Sequence, residues 1–228
     1  SKKSWWRWLK SMPVREIVKI WDENGIIKDN IDFLHKKTRP VKFPLSSECM
    51  EIIKDLEDSY EQIPCAGIAA NQLGYNYSIF IGMKVCDDED EGKQVERMES
   101  EAGKYSNMKN EFSGNREIYI NPKIYKTKSD STQEDTEGCL SVPNLTVEML
   151  RYDKIKVRYR TVDGGVVKKP LKGFISKLFQ HELDHLNGVI MLNLVSQIAG
   201  YSPLHTNPIK NKQLKSYLDD YYSYIGVK

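Results

Sequence analysis

His181-Glu182-Leu183-Asp184-His185 constrains this chain more than any other stretch, because its two histidines can share one metal ion when the segment is an α-helix. Residues four apart lie one above the other on the same helical face, so His181 and His185 can hold an ion between them. Glu182 then stands beside a metal-bound water as general base, the usual reading of this motif. Phe174, Leu178, Leu183 and Leu186 are spaced to seat such a helix in a core, and Gly188 suits its C-terminal cap. The pentapeptide also occurs by chance in ordinary helices, so the rest of the chain has to decide.

A length of 228 residues suffices for one domain with a proper core. The 34 basic and 32 acidic side chains leave a net charge of +2, so no global field points to nucleic acid and no direct nucleic-acid binding is expected. No apolar run approaches the length of a membrane span. The four cysteines, Cys49, Cys65, Cys86 and Cys139, lack paired spacing, which argues for a reducing compartment and against a disulfide scaffold. Residues 1–30 read as an N-terminal extension of a processed or truncated chain that lacks an initiator Met. Its first 19 residues carry six basic groups, one acid and the cluster Trp5, Trp6 and Trp8. That composition fits a remnant targeting or membrane-surface segment, or an extension packed on the domain by its tryptophans.

Residues 31–228 are expected to form a single domain. Ile31 to Pro44 reads as an extended, basic loop, since Pro40 and Pro44 forbid a long helix. Ser46 or Ser47 can cap a following helix whose stripe is Cys49, Ile52, Ile53, Leu56 and Tyr60. The dense small residues of Cys65-Ala66-Gly67-Ile68-Ala69-Ala70-Asn71-Gln72 allow close backbone approach to a ligand, with Gln72 able to donate and accept; a tight turn packed on a helix fits them equally. Ser78 to Val85 reads as a strand. Residues 86–115 open on Asp87-Asp88-Glu89-Asp90-Glu91 and stay polar, the composition of a flexible insertion. Glu117 to Ile120 resumes as a strand that Pro122 ends, Ile124 to Thr127 starts another, and Ser129 to Asp135 reads as polar loop. Leu145 to Tyr152 and Lys154 to Tyr159 follow as strands, with a hairpin turn at residues 162–166 and a C-terminal helix over residues 208–224. The fold class expected is α+β, with mixed or antiparallel strands around a central metal-binding helix.

A catalytic site with an open position needs a third ligand beyond the two histidines. Cys139, in the Gly-flanked turn Glu137-Gly138-Cys139-Leu140-Ser141, is the best-placed candidate, although a buried inert thiol is the commoner fate of such a residue. His35 and His205 sit in polar, Lys- or Pro-flanked segments.

Three motifs in fixed order now resemble one family, the peptide deformylases. That family is similar in carrying Gly-x-Gly-x-Ala-Ala-x-Gln, then Glu-Gly-Cys-Leu-Ser, then Gln-His-Glu-x-Asp-His-Leu, found here as Cys65 to Gln72, Glu137 to Ser141 and Gln180 to Leu186. Cys65 stands where the family has Gly, a departure that could tighten the local backbone. The resemblance implies hydrolysis of the N-formyl group from the formyl-Met of nascent polypeptides, with N-formylmethionyl peptides as substrate. It implies one divalent metal on Cys139, His181 and His185, Fe(II) in cells, with Zn(II), Co(II) or Ni(II) also suited to one thiolate and two imidazoles. Glu182 would be general base and acid, while Leu140 N–H and Gln72 would stabilise the oxyanion. Ala66, Gly67, Phe174 and Leu178 would contact the substrate, with Lys177 at the pocket mouth. Gln180, Asp184, Glu137 and Arg151 would support the ligands, Arg151 by pairing with Glu137.

Two rivals remain. A zinc peptidase of the His-Glu-x-x-His kind usually takes a third His or Glu downstream, but residues 188–207 offer no Glu and only His205. A binding module with a structural metal needs a fourth protein ligand, and none is apparent. The extension, the Lys- and Asn-rich make-up and the acidic insertion point to a eukaryotic organelle, plastid-like ahead of mitochondrial, with a bacterial cytoplasm as the alternative.

Overall fold

The computed structural model describes residues 15–86, 109–111, 113–195, 197–201 and 211–226. Trp5, Trp6, Trp8, the acidic run 87–91 with most of the insertion, and His205 lie outside the described residues. Among those described, the order is β1 (Trp21–Asp22), β2 (Gly25–Ile26), α1 (Lys28–Leu34), α2 (Ser47–Gln62), β3 (Gly67–Ala69) and β4 (Ile79–Met83). There follow β5 (Arg116–Thr127), β6 (Thr132–Cys139), β7 (Val142–Tyr152), β8 (Lys154–Arg160), β9 (Val166–Lys172), α3 (Gly173–Leu186), β10 (Gln197–Tyr201) and α4 (Asn211–Tyr224). Strands β3-β4-β5-β8-β9 form one antiparallel sheet and β10-β7-β6 a second, with β1-β2 as a small ribbon. This is the expected α+β architecture.

The histidine helix α3 packs on both sheets, touching β3, β4, β8 and β9 of the larger and β7 of the smaller. It buries Ile175, Leu178, Phe179 and Leu186, and with them Gln180, Glu182 and His185, so its polar residues are part of the interior. Phe174 and Leu183 are only partly buried. Gly188 ends the helix at φ +74°, where an added Cβ would lie 2.4 Å from the His35 carbonyl oxygen. Only Gly fits both conditions. The last-turn carbonyls are taken up from elsewhere: Thr38 N–H and Oγ1 both donate to Leu186 O at 2.9 Å, and Asn71 Nδ2 donates to His185 O at 2.6 Å.

Helix α2 follows its sequence signals. Ser46 Oγ accepts from Cys49 N–H at 3.1 Å, and Cys49, Ile52, Ile53, Leu56 and Tyr60 form its buried stripe. Because α2 and α3 both pack on β4, that strand is buried along its whole length, which is why Ile79 to Met83 is continuously apolar.

Four expectations are corrected. The stretch from Ile31 is not wholly loop, because α1 runs from Lys28 to Leu34; it is short, and Ile27 at its N-cap makes no side-chain cap bond. Pro122 does not end a strand: β5 runs through it, with the register shifting between Ile120 and Lys123 and Asn121 at φ +50°. A bulge leaves room for a residue without an N–H. Ser129 to Asp135 is not all loop, since β6 begins at Thr132; as an edge strand with an exposed face it carries polar residues. Finally, the packed body begins before residue 31. Ile20 and Trp21 are fully buried, Trp21 Nε1 donates to Pro143 O at 3.0 Å, Val18 N–H to Gln72 O at 2.7 Å and Ile20 N–H to Ser141 O at 2.9 Å. Residues 18–21 therefore brace both loops that flank α3. Trp21 also packs against Tyr217 of α4.

Candidate active site

Cys139, His181 and His185 converge. Their ligand atoms all lie within 4.8 Å of one another, and Cys139 Sγ is 3.2 Å from His185 Nε2. Cys139 reaches this point because β6 and β7 are joined by the Leu140-Ser141 turn, which places the last residue of β6 over the helix. His181 Nδ1 is 2.9 Å from Glu137 Oε2, which turns its Nε2 toward the Cys139 sulfur. His185 Nδ1 is buried without a hydrogen-bond partner among the described residues.

The electrostatics suit a cation. Burial and the nearby His181 push the His185 pKa well down, so this ring is neutral and carries a lone pair. Burial pulls His181 the same way, but hydrogen bonds to Cys139 and Glu137 outweigh it and lift the pKa well above 6.5. A ring drawn toward positive charge between the Glu137 carboxylate and the Cys139 sulfur marks a place where a metal ion can replace the proton. A cysteine sulfur and two imidazoles, held close together with Cys139 and His185 buried and His181 partly open, fit a divalent transition metal with a fourth position left open.

A second layer orients this cluster. Arg151 Nε and Nη2 donate to the two oxygens of Glu137, each at 2.9 Å, and Nη1 donates to Asp184. Burial alone would raise the Glu137 pKa; the bonds from Arg151 and His181 overcome it and hold the carboxyl far below the usual range. Glu137 is thus a fixed anion that holds the His181 ring. Asp184 stays partly open to solvent and touches Arg151, not a ligand. Gln180 also touches no ligand: its Oε1 accepts from Tyr152 N–H at 3.0 Å and its Nε2 donates to Tyr152 O at 2.8 Å. It fastens α3 to the end of β7, beside Arg151.

Ala66, Gly67, Gln72, Glu137, Cys139, Leu140, Phe174, Leu178, His181 and Glu182 line one cleft of about 550 Å³, open to solvent. His185 stands behind it. The Gln72 amide is oriented by chemistry: its Oε1 accepts from Ala69 N–H at 2.9 Å, so Nε2 faces Ser141 Oγ at 3.1 Å and Cys139 Sγ at 3.7 Å. Gly67 lets β3 press against the helix, since a Cβ there would lie 2.9 Å from both Glu182 Oε1 and Leu178 Cδ1. Cys65 sits at the start of this loop. Its backbone φ is not left-handed and its side chain is buried in an apolar cluster with Tyr60 and Ile53.

Sequence reasoning missed Gly138 as a lining residue, and it gave no role to Asn71, Ser141 or Asp135. Asn71 and Ser141 lay inside the quoted motifs, where a count of donors and acceptors could have singled them out. Lys177 does line the cleft, buried, with Nζ 2.6 Å from Asp135 Oδ2 and 5.1 Å from the Phe174 ring centroid.

A helix-borne ligand pair completed by a distant thiolate, with a carboxylate and an oriented amide at the same cleft, defines a mononuclear metal-dependent hydrolase. A family model described as polypeptide deformylase matches residues 23–199. Peptide deformylase 2 of Rickettsia conorii is 35% identical over 161 residues, which span 70% of this chain and 73% of the relative. The crystal structure of peptide deformylase from Thermotoga maritima is 28% identical and covers 73% of this chain and 92% of its own, with a TM-score of 0.54. A Met-Ala-Ser-bound class I type b peptide deformylase from Acinetobacter baumannii shares the fold with a TM-score of 0.61 at 24% identity, over 81% of this chain and all of that one. The chain belongs to the polypeptide deformylase family. It is an enzyme of metal-dependent N-terminal deformylation, and the peptidase and structural-metal readings fall away.

Proposed function

We propose that Glu182 moves the proton in this deformylation, and that Gln72 and the Leu140 N–H receive the charge that develops on the formyl oxygen. The observation that carries the reading is the convergence of Glu182, Gln72 and the Cys139-His181-His185 cluster on one cleft. A divalent metal held by those three residues supplies, when bound, Lewis-acid activation of a water molecule. Glu182 accepts the proton of that water as its oxygen adds to the formyl carbon. The C–N bond then breaks, and Glu182 returns the proton to the leaving α-amine, giving formate and a free N-terminal Met. Gln72 Nε2–H is held toward the site by the Ala69 bond, so it needs no reorientation when the oxygen becomes negative.

The substrate is the formyl-Met end of a nascent polypeptide, its side chain entering between Ala66, Phe174 and Leu178. The Met-Ala-Ser bound to the Acinetobacter enzyme supports this choice of peptide. Fe(II) is the metal in cells, with Zn(II), Co(II) and Ni(II) accommodated by the same donors. Protein purified anaerobically is expected to carry about one metal per chain and to release formate from formyl-Met-Ala-Ser; a chelator abolishes release and added Fe(II) restores it. A folded, metal-loaded protein that releases no formate would sink the proposal. The compartment proposed is an organelle, plastid-like ahead of mitochondrial, which imaging of the tagged protein in its own cells tests.

Gly67→Ala tests the fit of β3 on the helix. The added methyl has to displace Glu182 or Leu178, and misplacing a catalytic group by an ångström costs about 100-fold. Steady-state kinetics should find kcat/KM down by about that factor with the fold retained; an unchanged value would mean that Glu182 need not sit where it does.

A further inference from the structure

The larger sheet carries a set of cations that neither the fold nor the active site uses. Lys154, Lys156 and Arg158 on β8, Lys168 and Lys172 on β9, and Lys126 on β5 are all exposed. The pairing sets like against like: Lys154 opposite Lys172, Arg158 opposite Lys168, and Lys156 opposite Lys126. Like charges directly opposite destabilise a sheet. Among the described residues no carboxylate lies within ion-pair distance of any of the six. Residues 154–172 hold seven basic side chains and one acid, Asp163. The net charge of +2, which argues against nucleic acid, averages this face away.

One ordinary explanation covers part of the set. Edge strands often carry Lys and Pro to block pairing with other sheets, and β9 is an edge that presents Lys168, Pro170 and Lys172. It does not explain Lys156 and Arg158, because β8 is paired on both sides.

We propose that this face docks RNA through the phosphodiester backbone. Outward positions along a strand recur every two residues, about 6.8 Å, so the cations form a grid on which a polyanion can lie. The grid borders an open groove in which Lys126, Lys128, Lys154, Lys156 and Lys172 surround Ile155, Pro170 and Leu171. An anionic membrane calls for an apolar wedge among the cations. Between Lys154 and Arg158, and between Lys168 and Lys172, the outward positions hold only cations and Pro170.

The test is fluorescence anisotropy of the full-length, metal-loaded protein with a labelled single-stranded RNA of mixed sequence, over a range of salt. The wild type should bind with a salt dependence of about 0.7 log units per phosphate contact. The triple variant K156Q/R158Q/K168Q should bind about tenfold more weakly at low salt, with a slope shallower by about 2, and should release formate at the wild-type rate. A control triple, K36Q/K212Q/K215Q, should keep its RNA affinity. Equal loss in both triples, or none in the first, overturns the site. Binding to phosphatidylserine vesicles that exceeds binding to RNA, and is lost in the first triple, overturns RNA as the occupant in favour of a membrane.

Discussion

Glu182→Gln is expected to lower kcat for formate release by about 100- to 10,000-fold while metal content and thermal midpoint stay near those of the wild type. Glu182 is 3% exposed and lines the cleft one residue from His181, yet it is not among the three ligands. The amide keeps the volume that fills the gap beside Gly67 and can still hydrogen-bond, but it cannot take a proton from water. Gln is neutral and of the same size, so its burial adds no charge to desolvate and stability should not fall. Glu182→Ala should lose a similar factor and respond weakly to added small carboxylates that can enter the cleft. The decisive reading is the glutamine variant with metal quantified on the same sample. Activity within tenfold of wild type at full metal occupancy would remove Glu182 from the role of base.

What could be read from the sequence was whatever local spacing encodes. The histidine pair, Gly188 beyond the helix, the Ser46 cap and the apolar stripe of α2 each follow from rules that span a turn or two. Cys139 stood out by its Gly-flanked turn and Gln72 by its ability to donate and accept, but only motif order separated either from a packed turn. The misses share a cause. Trp21 is core because its indole meets Pro143, 122 residues away, and no periodicity in a stretch this short reports that contact. Strand β6 looked like a loop because an edge strand buries little, and β5 looked broken because a bulge hides its proline. The basic face escaped because alternation on β8 reads as an ordinary half-buried strand, with Ile155, Val157 and Tyr159 inward. Only the pairing register reveals that its outward residues meet further cations.

Arg151→Ala is expected to cost about 3–5 kcal/mol of folding stability in urea denaturation, the range for breaking a buried ion pair by removing one partner. Arg151 and Glu137 are each 5% exposed at the side chain, and the guanidinium fork satisfies both oxygens of Glu137 while reaching Asp184. Without it, Glu137 keeps only His181 as a partner and faces the full cost of its burial. Either the carboxyl takes up a proton or the β6–β7 end loosens, and in both cases the His181 ring loses its fixed acceptor. Metal affinity, measured by competition with a chelator, should therefore fall by about 10- to 100-fold. Arg151→Lys should recover part of the stability but not the bidentate geometry, since an ammonium is a point donor. The combination Arg151→Met with Glu137→Leu separates the two roles. An apolar pair of similar volume removes the buried charges and should restore much of the stability, yet His181 then has no carboxylate to hold its ring. Restored stability with metal affinity still low would assign Glu137 to the ligand and Arg151 to Glu137. Metal affinity that returns with the fold would instead make the pair a packing element alone.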